Sequence, residues 1–517
     1  MKLATSDMIS KIDAYSAEKL AIPTLELMKK SGIAVADAVR KRVPEGSRVV
    51  ILAGGGNNGG DGYAAAVELI EGYSVLVFDV FSRGQKSEAG KHFLERYKSL
   101  GGEVRDYDPC DRTVREELLG SDCIVDAVFG TGFKGEMPES IRPLAVAIRD
   151  SVGVHKIAVD VPLGINPDDG TVSEFAITAS ATVALSFIKP GIISYPARSY
   201  VGEIIYASLG LPEDKLEEAF SFKYNMIEEL WACEHLPNRD ANSNKGSFGK
   251  LLMITGSEKF RGAAHLSLAT ALRGGVGLVS YLGCEELVSE LSAKYPEAVY
   301  HKTNIDNTLT DEEIENICLL SGKHSATLLG SGSDNTEGLL RLTLALLARE
   351  GGPLVLDADA LNALSLIGEE GTRALKLAKR KVVLTPHPLE FSRLSGKSVA
   401  QVQQARLESA ESFVRDTGVT LVLKGAGTII SSPECTHINV AGSSALAKAG
   451  SGDVLAGLIG AFVAEGGLSV SDAAALAVYM HAVAGEELAK IFSSYGVTPS
   501  DLPIEIAKVL ARHERNK

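Results

Sequence analysis

Two places along the chain set glycines beside carboxylates and amides in patterns that could do chemistry. The first is AGGGNNGGDGYAAAVELI, directly after the apolar run VVIL (49 to 52). Glycines at 54, 55, 56, 59, 60 and 62 permit positive φ and let backbone amides approach a ligand, while a following helix offers its positive end to phosphate. This suits a nucleotide or dinucleotide, although the run is neither GxGxxG nor GxxxxGKS. Asn57, Asn58 and Asp61 add side-chain oxygens that can hold a cation or orient a sugar; an Asx-rich turn would use the same residue types. Asp126 in DAVFGTGFKGE and Asp160 in VDVPLGIN stand at predicted strand ends. The ligand crevice of an open parallel sheet lies there, so Asn58, Asp126 and Asp160 are expected to converge unless they serve as caps.

The second place is SSALAKAGSGDVLAGLIGAF. Amides of Ser451, Gly452 and Asp453 at the mouth of an apolar helix make an anion hole, and the carboxylate beside them can accept a proton. Phosphoryl transfer to a hydroxyl requires both; a glycine-rich helix cap is the structural alternative. KGAGT (Lys424, Gly425, Ala426, Gly427, Thr428) closes another apolar strand with a glycine loop, and TPHPLE puts His387 and Glu390 at the end of a further one. A strand-end histidine is as readily hydrogen-bonded structure as chemistry.

These residues need a frame. In the first half, apolar runs recur at 49 to 52, 74 to 81, 123 to 129, 156 to 162, 181 to 188 and 203 to 209, with gaps long enough for crossover helices. The second half repeats the style at 250 to 256, 277 to 283, 326 to 332, 353 to 359, 381 to 387 and 420 to 427, with helices expected over 336 to 350 and 453 to 466. Strands buried on both faces and alternating with helices predict α/β architecture with parallel sheets covered on each side. At 517 residues the chain exceeds one core, and two domains are expected. We place them at 1–215 and 235–517, with 216–234 as a polar linker free of a comparable β run.

Composition narrows the function classes. Apolar residues make up 45% and charged residues 23%, ordinary for globular proteins, and the net charge of −14 without a basic block disfavours nucleic acid as partner. The N-terminus lacks the apolar core of a signal peptide and no apolar run reaches transmembrane length, so no membrane association and a cytoplasmic location are expected. Six cysteines lie scattered without CxxC or Cys/His spacing and read as reduced thiols rather than a zinc site or disulfide framework.

The order NNGGDG, DxxFGTG, DVPxG and KPG (Lys189, Pro190, Gly191), behind LATSDMISKIDAY and LMKKSGIAVADAV, resembles the NAD(P)H-hydrate epimerase family over residues 1 to 215. The resemblance implies a Rossmann-like three-layer α/β/α domain. It also implies that Asn57, Asn58, Gly59, Gly60 and Asp61 contact the hydrated dinucleotide, together with Gly130, Thr131, Gly132, Phe133, Lys134, Gly135 and Glu136. Asn58 and Asp126 would bind K+, and Asp160 would lie at the reacting ring. Leu163 replaces the serine of the family's DVPSG, so only its main-chain carbonyl could serve the ion.

AGSGDVLAG, with GSxxxxGAA, TPHPxE and KGAGT, resembles the companion dehydratase family, a branch of the ribokinase-like small-molecule kinases, over residues 230 to 510. NKGSFG stands where HKGxFG is common and GSGSD where GPGxG is usual, with the glycines kept. The implied roles place Ala263, Gly332, His387 and Asp453 at the substrate. Lys424 to Thr428 and Gly450, Ser451 and Gly452 would then hold the nucleotide.

The two resemblances imply a nicotinamide nucleotide repair enzyme. One half epimerises NADHX and NADPHX with Asp160 as acid/base and Lys189 orienting ring or phosphate. The other dehydrates the S form with Asp453 as base, ADP as donor giving AMP and phosphate, and Mg2+ bridging the charges. A homo-oligomer is expected. The alternative is a kinase for a vitamin-like alcohol with a non-catalytic nucleotide-binding module in front. Replacing Asp160 with Asn is expected to change fold stability little.

Overall fold

The computed structural model describes residues 1–82, 84 and 86–516. The chain divides into a unit of Lys2–Tyr224 and a unit of Asn225–Lys517 that also takes in Met1.

In the first unit a seven-stranded sheet among the described residues runs in the order Glu103–Asp106, Ser74–Asp79, Arg48–Ala53, Cys123–Ala127, His155–Val159, Ala181–Leu185 and Glu203–Ala207. Every neighbouring pair is parallel. Alternation along one strand makes two cores. Val49, Ile51 and Ala53 pack with helices Thr24–Arg40 and Asn57–Leu69, while Val50 and Leu52 pack with Val114, Leu118, Leu144 and Ile148 on the other face. The result is the expected three-layer α/β/α arrangement. After Arg48–Ala53 the chain builds outward on one side and then returns to pair Cys123–Ala127 on the other, which makes a switch point beside the glycine run.

The second unit carries a sheet in the order Tyr224–Ile227, Thr436–Asn439, Ile429–Ser431, Thr420–Leu423, Val382–Leu384, Leu354–Leu356, Ala326–Leu329, Lys250–Ile254, Leu278–Gly283 and Val299–Lys302. From Thr420–Leu423 to Val299–Lys302 it is parallel, with its switch point between Lys250–Ile254 and Ala326–Leu329. The chain departs from the uniformly parallel expectation after residue 423. Ile429–Ser431 pairs antiparallel with Thr420–Leu423, and Thr436–Asn439 antiparallel with Ile429–Ser431. Gaps of five and four residues are too short for a crossover helix, so consecutive strands can join only as hairpins. The stretch read as a linker also carries regular structure, with the strand Tyr224–Ile227 and the helix Glu229–His235.

Helix Ser451–Glu465, expected from its apolar run, is buried along nearly its whole length and crosses helix Arg261–Arg273 closely. A Cβ at Gly457 would stand 2.3 Å from the Ser267 carbonyl oxygen. In an isolated helix Gly→Ala gains about 1 kcal/mol. Here overpacking against backbone, worth about 1–3 kcal/mol, outweighs that gain. Gly457→Ala is therefore expected to lower the urea midpoint and the melting temperature; a rise in either would show that the helices can part without cost.

Candidate active sites

The first site is a cavity of about 500 Å³ at the carboxyl ends of the first unit's strands. Asn57, Asn58 and Asp61 line it together with Gly130, Thr131, Gly132, Asp160 and Lys189, as expected, and Asp13, Ser31 and Ser186 join them.

The local chain path differs from a glycine loop in one respect. Helix Asn57–Leu69 begins within NNGGDG, with Gly56 as its N-cap, so the loop is only Gly54 to Gly56. None of the six glycines adopts positive φ. Their use is close approach instead: a Cβ on Gly59 would lie 1.9 Å from the Gly54 carbonyl oxygen, and one on Gly60 would lie 2.5 Å from Met28 Cε. Gly59 and Gly60 thus seat the helix and do not line the cavity, while Asn57, Asn58 and Asp61 do.

The predicted segment after residue 129 also divides. Phe133 turns into the core and stacks on Phe129 at 5.5 Å, because an aromatic ring gains more there than at a wet rim. Lys134 pairs with Asp168 at 2.8 Å, and Gly135 and Glu136 are exposed outside the cavity lining.

Asp160 follows strand His155–Val159 and is buried with φ +68°, a sparsely populated conformation for a non-glycine residue. Ser186, beside it in the cavity, has φ +59°. Backbone strain of this kind costs about 1–3 kcal/mol per residue and clusters at functional sites. The Asp160 carboxylate accepts from the Leu185 amide at 3.1 Å and forms an ion pair with Lys189, whose ammonium also donates to the Leu185 carbonyl at 3.0 Å. Burial pushes Asp61 well above the usual carboxylate range, with the Asp160 charge adding to the effect, while the Ser31 hydroxyl works against it. Burial also lifts Asp13 to about 6.

Asp126, wholly buried, does not line the cavity with Asn58 and Asp160. It accepts from the Leu163 amide at 2.7 Å and the Val128 amide at 3.2 Å. Burial raises it to about 7 against those two bonds. Leu163 offers only its main-chain carbonyl on this side. Its side chain sits in the core, its N–H is given to Asp126, and its carbonyl accepts from the Ile177 amide at 3.0 Å.

The second site gathers at the carboxyl ends of the second unit's parallel strands. Asp453 stands in the first turn of helix Ser451–Glu465, whose N-cap Gly450 has φ +98°. Of the three amides expected to make an anion hole, that of Ser451 is spent on the Lys448 carbonyl at 3.2 Å. Gly452 and Asp453 keep first-turn amides that have no partner four residues back. The Ser451 hydroxyl meets His481 Nε2 at 3.2 Å, and burial lowers His481 to about 4, so its ring stays neutral.

Lys424 organises the acids. Its ammonium lies 3.0 Å from Asp357 and 3.9 Å from Glu390. Burial works against its charge, but those carboxylates outweigh it and hold its pKa above the ordinary lysine value. Asp357 also accepts from Ser331 at 2.8 Å and Thr385 at 2.7 Å. Asp453 is lifted to about 7, first by burial and then by the Asp357 charge, with Lys424 opposing.

In KGAGT, Gly425 and Gly427 do take positive φ, at +141° and +62°. Buried Arg406 braces the loop by donating to the carbonyls of Leu423 at 3.2 Å and Lys424 at 3.3 Å. Thr428 turns its hydroxyl back onto Gly425 at 2.9 Å, and Ala426 lies at the exposed tip. Gly332, at φ +62°, abuts Ala263, since a Cβ there would meet Ala263 Cβ at 2.6 Å.

His387 is first of all a helix cap. Its Nδ1 accepts from the amides of Leu389 and Glu390 at 3.1 and 3.2 Å, and its Nε2 lies 3.3 Å from Glu390 Oε1. Asp13, Ser31, Asp357, Arg406 and His481 escaped sequence reasoning. Only Asp357 carried a signal there, as a carboxylate ending the run PLVLDAD.

A strained acid paired with lysine at the strand ends of one unit, and an acid at a helix start beside a glycine loop in the other, are the arrangement of an α/β enzyme with two sites. The family model described as NAD(P)H-hydrate dehydratase matches residues 251–508, and the one described as YjeF-related protein N-terminus matches residues 24–191. The bifunctional NAD(P)H-hydrate repair enzyme Nnr of Moorella thermoacetica is 32% identical over 97% of this chain and 95% of its own length. That of Thermofilum pendens is 32% identical over 99% and 96%. A solved ribokinase-like superfamily protein of Enterococcus faecalis is 25% identical, with TM-score 0.50, over 56% of this chain and 96% of its own. The chain belongs to the family of bifunctional NAD(P)H-hydrate repair enzymes.

The Lys189 pair reverses the expectation that Asp160→Asn leaves stability unchanged. Removing one partner of a buried pair strands the other charge and costs about 3–5 kcal/mol. Asp160→Asn should shift the denaturant midpoint of the first unit accordingly, and adding Lys189→Met should restore most of it. An unshifted midpoint in the single variant would show that Lys189 finds solvent.

Proposed function

We propose that the second unit dehydrates NADHX and NADPHX with a nucleotide as phosphoryl donor and that the first unit interconverts their epimers. The observation that carries the dehydratase reading is Asp453, lifted to about 7 at a helix start and facing the acids that Lys424 gathers. A base with that pKa takes a proton near neutral pH.

In the proposed reaction Asp453 removes the proton of the ring hydroxyl while that oxygen attacks the terminal phosphorus of the donor. The bond from phosphorus to the nucleotide breaks, and the Gly452 and Asp453 amides hold the anionic oxygens. The ring nitrogen then expels phosphate from carbon 6, and loss of a proton from carbon 5 restores the reduced ring. With ADP as donor, AMP and phosphate leave. Lys424 places its ammonium beside the phosphates, and the KGAGT loop supplies its amides. Asp357, Asp359, Glu390 and Asp453 repel one another around Lys424, a surplus of negative charge that fits a divalent ion. Asp357 and Asp359 would hold Mg2+, which when bound neutralises phosphate charge.

In the first unit, Asp160 takes the proton of the carbon 6 hydroxyl as the bond from carbon 6 to the ring nitrogen breaks, and returns it when the nitrogen closes on the other face of the carbon 6 aldehyde; Lys189 holds Asp160 in place. Asp61, whose proton affinity burial raises, is the donor of a proton to the ring nitrogen. Asn58 and Asp126 would hold a K+ ion through their side-chain oxygens, and Asp126 has no cationic neighbour among its charge-setting contacts. The same reading assigns a cytoplasmic homo-oligomer without nucleic acid as partner, supported by the net charge of −14. Among the described residues no helix is long and apolar enough to cross a membrane.

Incubation of the full chain with mixed NADHX epimers, ADP and Mg2+ should restore the absorbance of NADH as AMP accumulates. A stable phosphorylated product would instead favour the kinase alternative. Asp453→Asn should slow dehydration by about 100- to 10,000-fold while epimer exchange persists. The sign of the pH dependence follows from the base role. Below about pH 7 Asp453 is protonated and inactive, so kcat/KM should rise with pH and level off above 7. A profile flat from pH 5 to 8 would remove Asp453 from the role.

Epimerisation has its own readout. With Asp160→Asn the epimer exchange should slow by at least about 100-fold, and NADH recovery should become biphasic as the second epimer waits on spontaneous exchange. A single phase matching wild type would mean that Asp160 is not the epimerase group.

A further inference from the structure

Cys435, His437 and Asp472 lie in the second unit and take no part in either proposed reaction. Cys435 Sγ is 3.3 Å from His437 Nε2, and the same ring nitrogen is 3.1 Å from Asp472 Oδ1. The three atoms all fall within 4.8 Å of one another. A single imidazole N–H has one direction, so it cannot serve a thiol and a carboxylate well at once. A cation placed between the three atoms satisfies all of them.

Two of the three spacings are also those of a coordination sphere. Zinc bonds of about 2.3 Å to sulfur and about 2.0–2.1 Å to nitrogen or oxygen set tetrahedral edges of roughly 3.5 Å and roughly 3.3 Å. The observed 3.3 and 3.1 Å differ from those edges by about 0.2 Å, within what a small side-chain motion supplies.

The surroundings hold the ligands in place. Cys435 and His437 are two residues apart at the start of strand Thr436–Asn439 and so face the same side. The turn before them is fixed by the Ser432 amide donating to the Cys435 carbonyl at 2.8 Å and the Cys435 amide donating to Ser432 Oγ at 3.1 Å. Asp472 comes from the first turn of the helix that begins at Val470. Its other oxygen accepts the Ser469 hydroxyl at 2.6 Å, which aims Oδ1 at the cluster. The Trp231 ring lies 5.2 Å from that of His437, which is 2% exposed, so one wall is dry. Hydroxyls of Ser471 and Ser432 stand 3.7 and 3.8 Å from the sulfur, placed to support a thiolate.

We propose that Cys435, His437 and Asp472 form a tetrahedral site for a zinc-class ion, with water as fourth ligand, that fastens the hairpin Ile429–Asn439 to the start of the helix at Val470. Binding releases the thiol proton to solvent, and the metal neither gains nor loses electrons. One end of the hairpin continues the KGAGT loop and the metal closes the other, so the ion stiffens the strand pair without entering the reaction.

Co2+ is the probe, added to the full-length chain carrying Cys110→Ser to remove the exposed thiol. One equivalent should give sulfur-to-cobalt charge transfer and intense visible bands of a tetrahedral ion, both discharged by Zn2+. Cys435→Ser should abolish the charge transfer, and Asp472→Asn should weaken Co2+ binding at least about tenfold. The pale spectrum of an octahedral ion, or an unchanged spectrum in Cys435→Ser, would overturn the proposal. Because a variant can misfold, iodoacetamide labelling of Cys435 is followed in the unsubstituted chain. Zn2+ should slow it at least about tenfold, and equal labelling with and without Zn2+ would also overturn the proposal.

Discussion

A helix can present its positive end to a phosphate only where its first turn meets the strand ends with no side chain in between. Both units obey that constraint through glycine. Gly59 lets the first turn of Asn57–Leu69 rest on the Gly54 carbonyl, and Gly457 lets Ser451–Glu465 lie against the backbone of Arg261–Arg273. Gly452, in the first turn of that second helix, leaves room for the Lys424 ammonium, which would stand 3.4 Å from a Cβ there. The helix axis, the amides and the lysine therefore share one small volume. A single methyl group at Gly59 or Gly457 would push its helix away.

The electrostatics of the two sites follow one scheme on different backbones. Each buries several carboxyl groups around one lysine, Lys189 with Asp160, Asp61 and Asp13, and Lys424 with Asp357, Glu390 and Asp453. A lysine can pair directly with one carboxylate, and the others then feel both burial and that neighbour's charge. Asp160 and Asp357 are the contacted groups; Asp61 and Asp453 are the lifted ones. Environment alone gives groups of the same chemistry different proton affinities.

Much of this was legible in the sequence because it is local. Continuous apolar runs between glycines predict buried parallel strands, and strand Arg48–Ala53 divides its side chains between two cores as such a strand must. Asn57, Asn58, Asp61, Asp160 and Lys189 lie at one cavity because each sits within a few residues of a strand's carboxyl end. What escaped is non-local or too short to show a period. Asp13 reaches the cavity from an N-terminal helix, and His481 reaches Ser451 across thirty residues. The hairpin strands Ile429–Ser431 and Thr436–Asn439 carry a polar or small residue at almost every second position, so their runs look like loop. Phe133 misled through its place in FGTGF, where the motif says nothing of which way a ring turns. Cys435 and His437 were read as unpatterned because the third member, Asp472, is brought to them only by the fold.

The structure also explains why two sites crowded with carboxyl groups can be kept in one folded chain. Like charges held together, and a non-glycine residue at φ +68°, act against folding in the absence of ligand. Compensation comes from the packing around the acids. The second unit surrounds its acids with a fully buried helix, Ser451–Glu465, and with Arg406, whose guanidinium fills the carbonyls of the very loop that carries Lys424. The first does so with strands buried on both faces. Rigid surroundings keep the repelling carboxyl groups from swinging apart into water, so the repulsion survives as raised proton affinity instead of being relaxed by motion. Proton affinity at Asp453 and Asp61 is thus a property of the packed frame, set by residues several layers from the ligand as much as by the charges beside them.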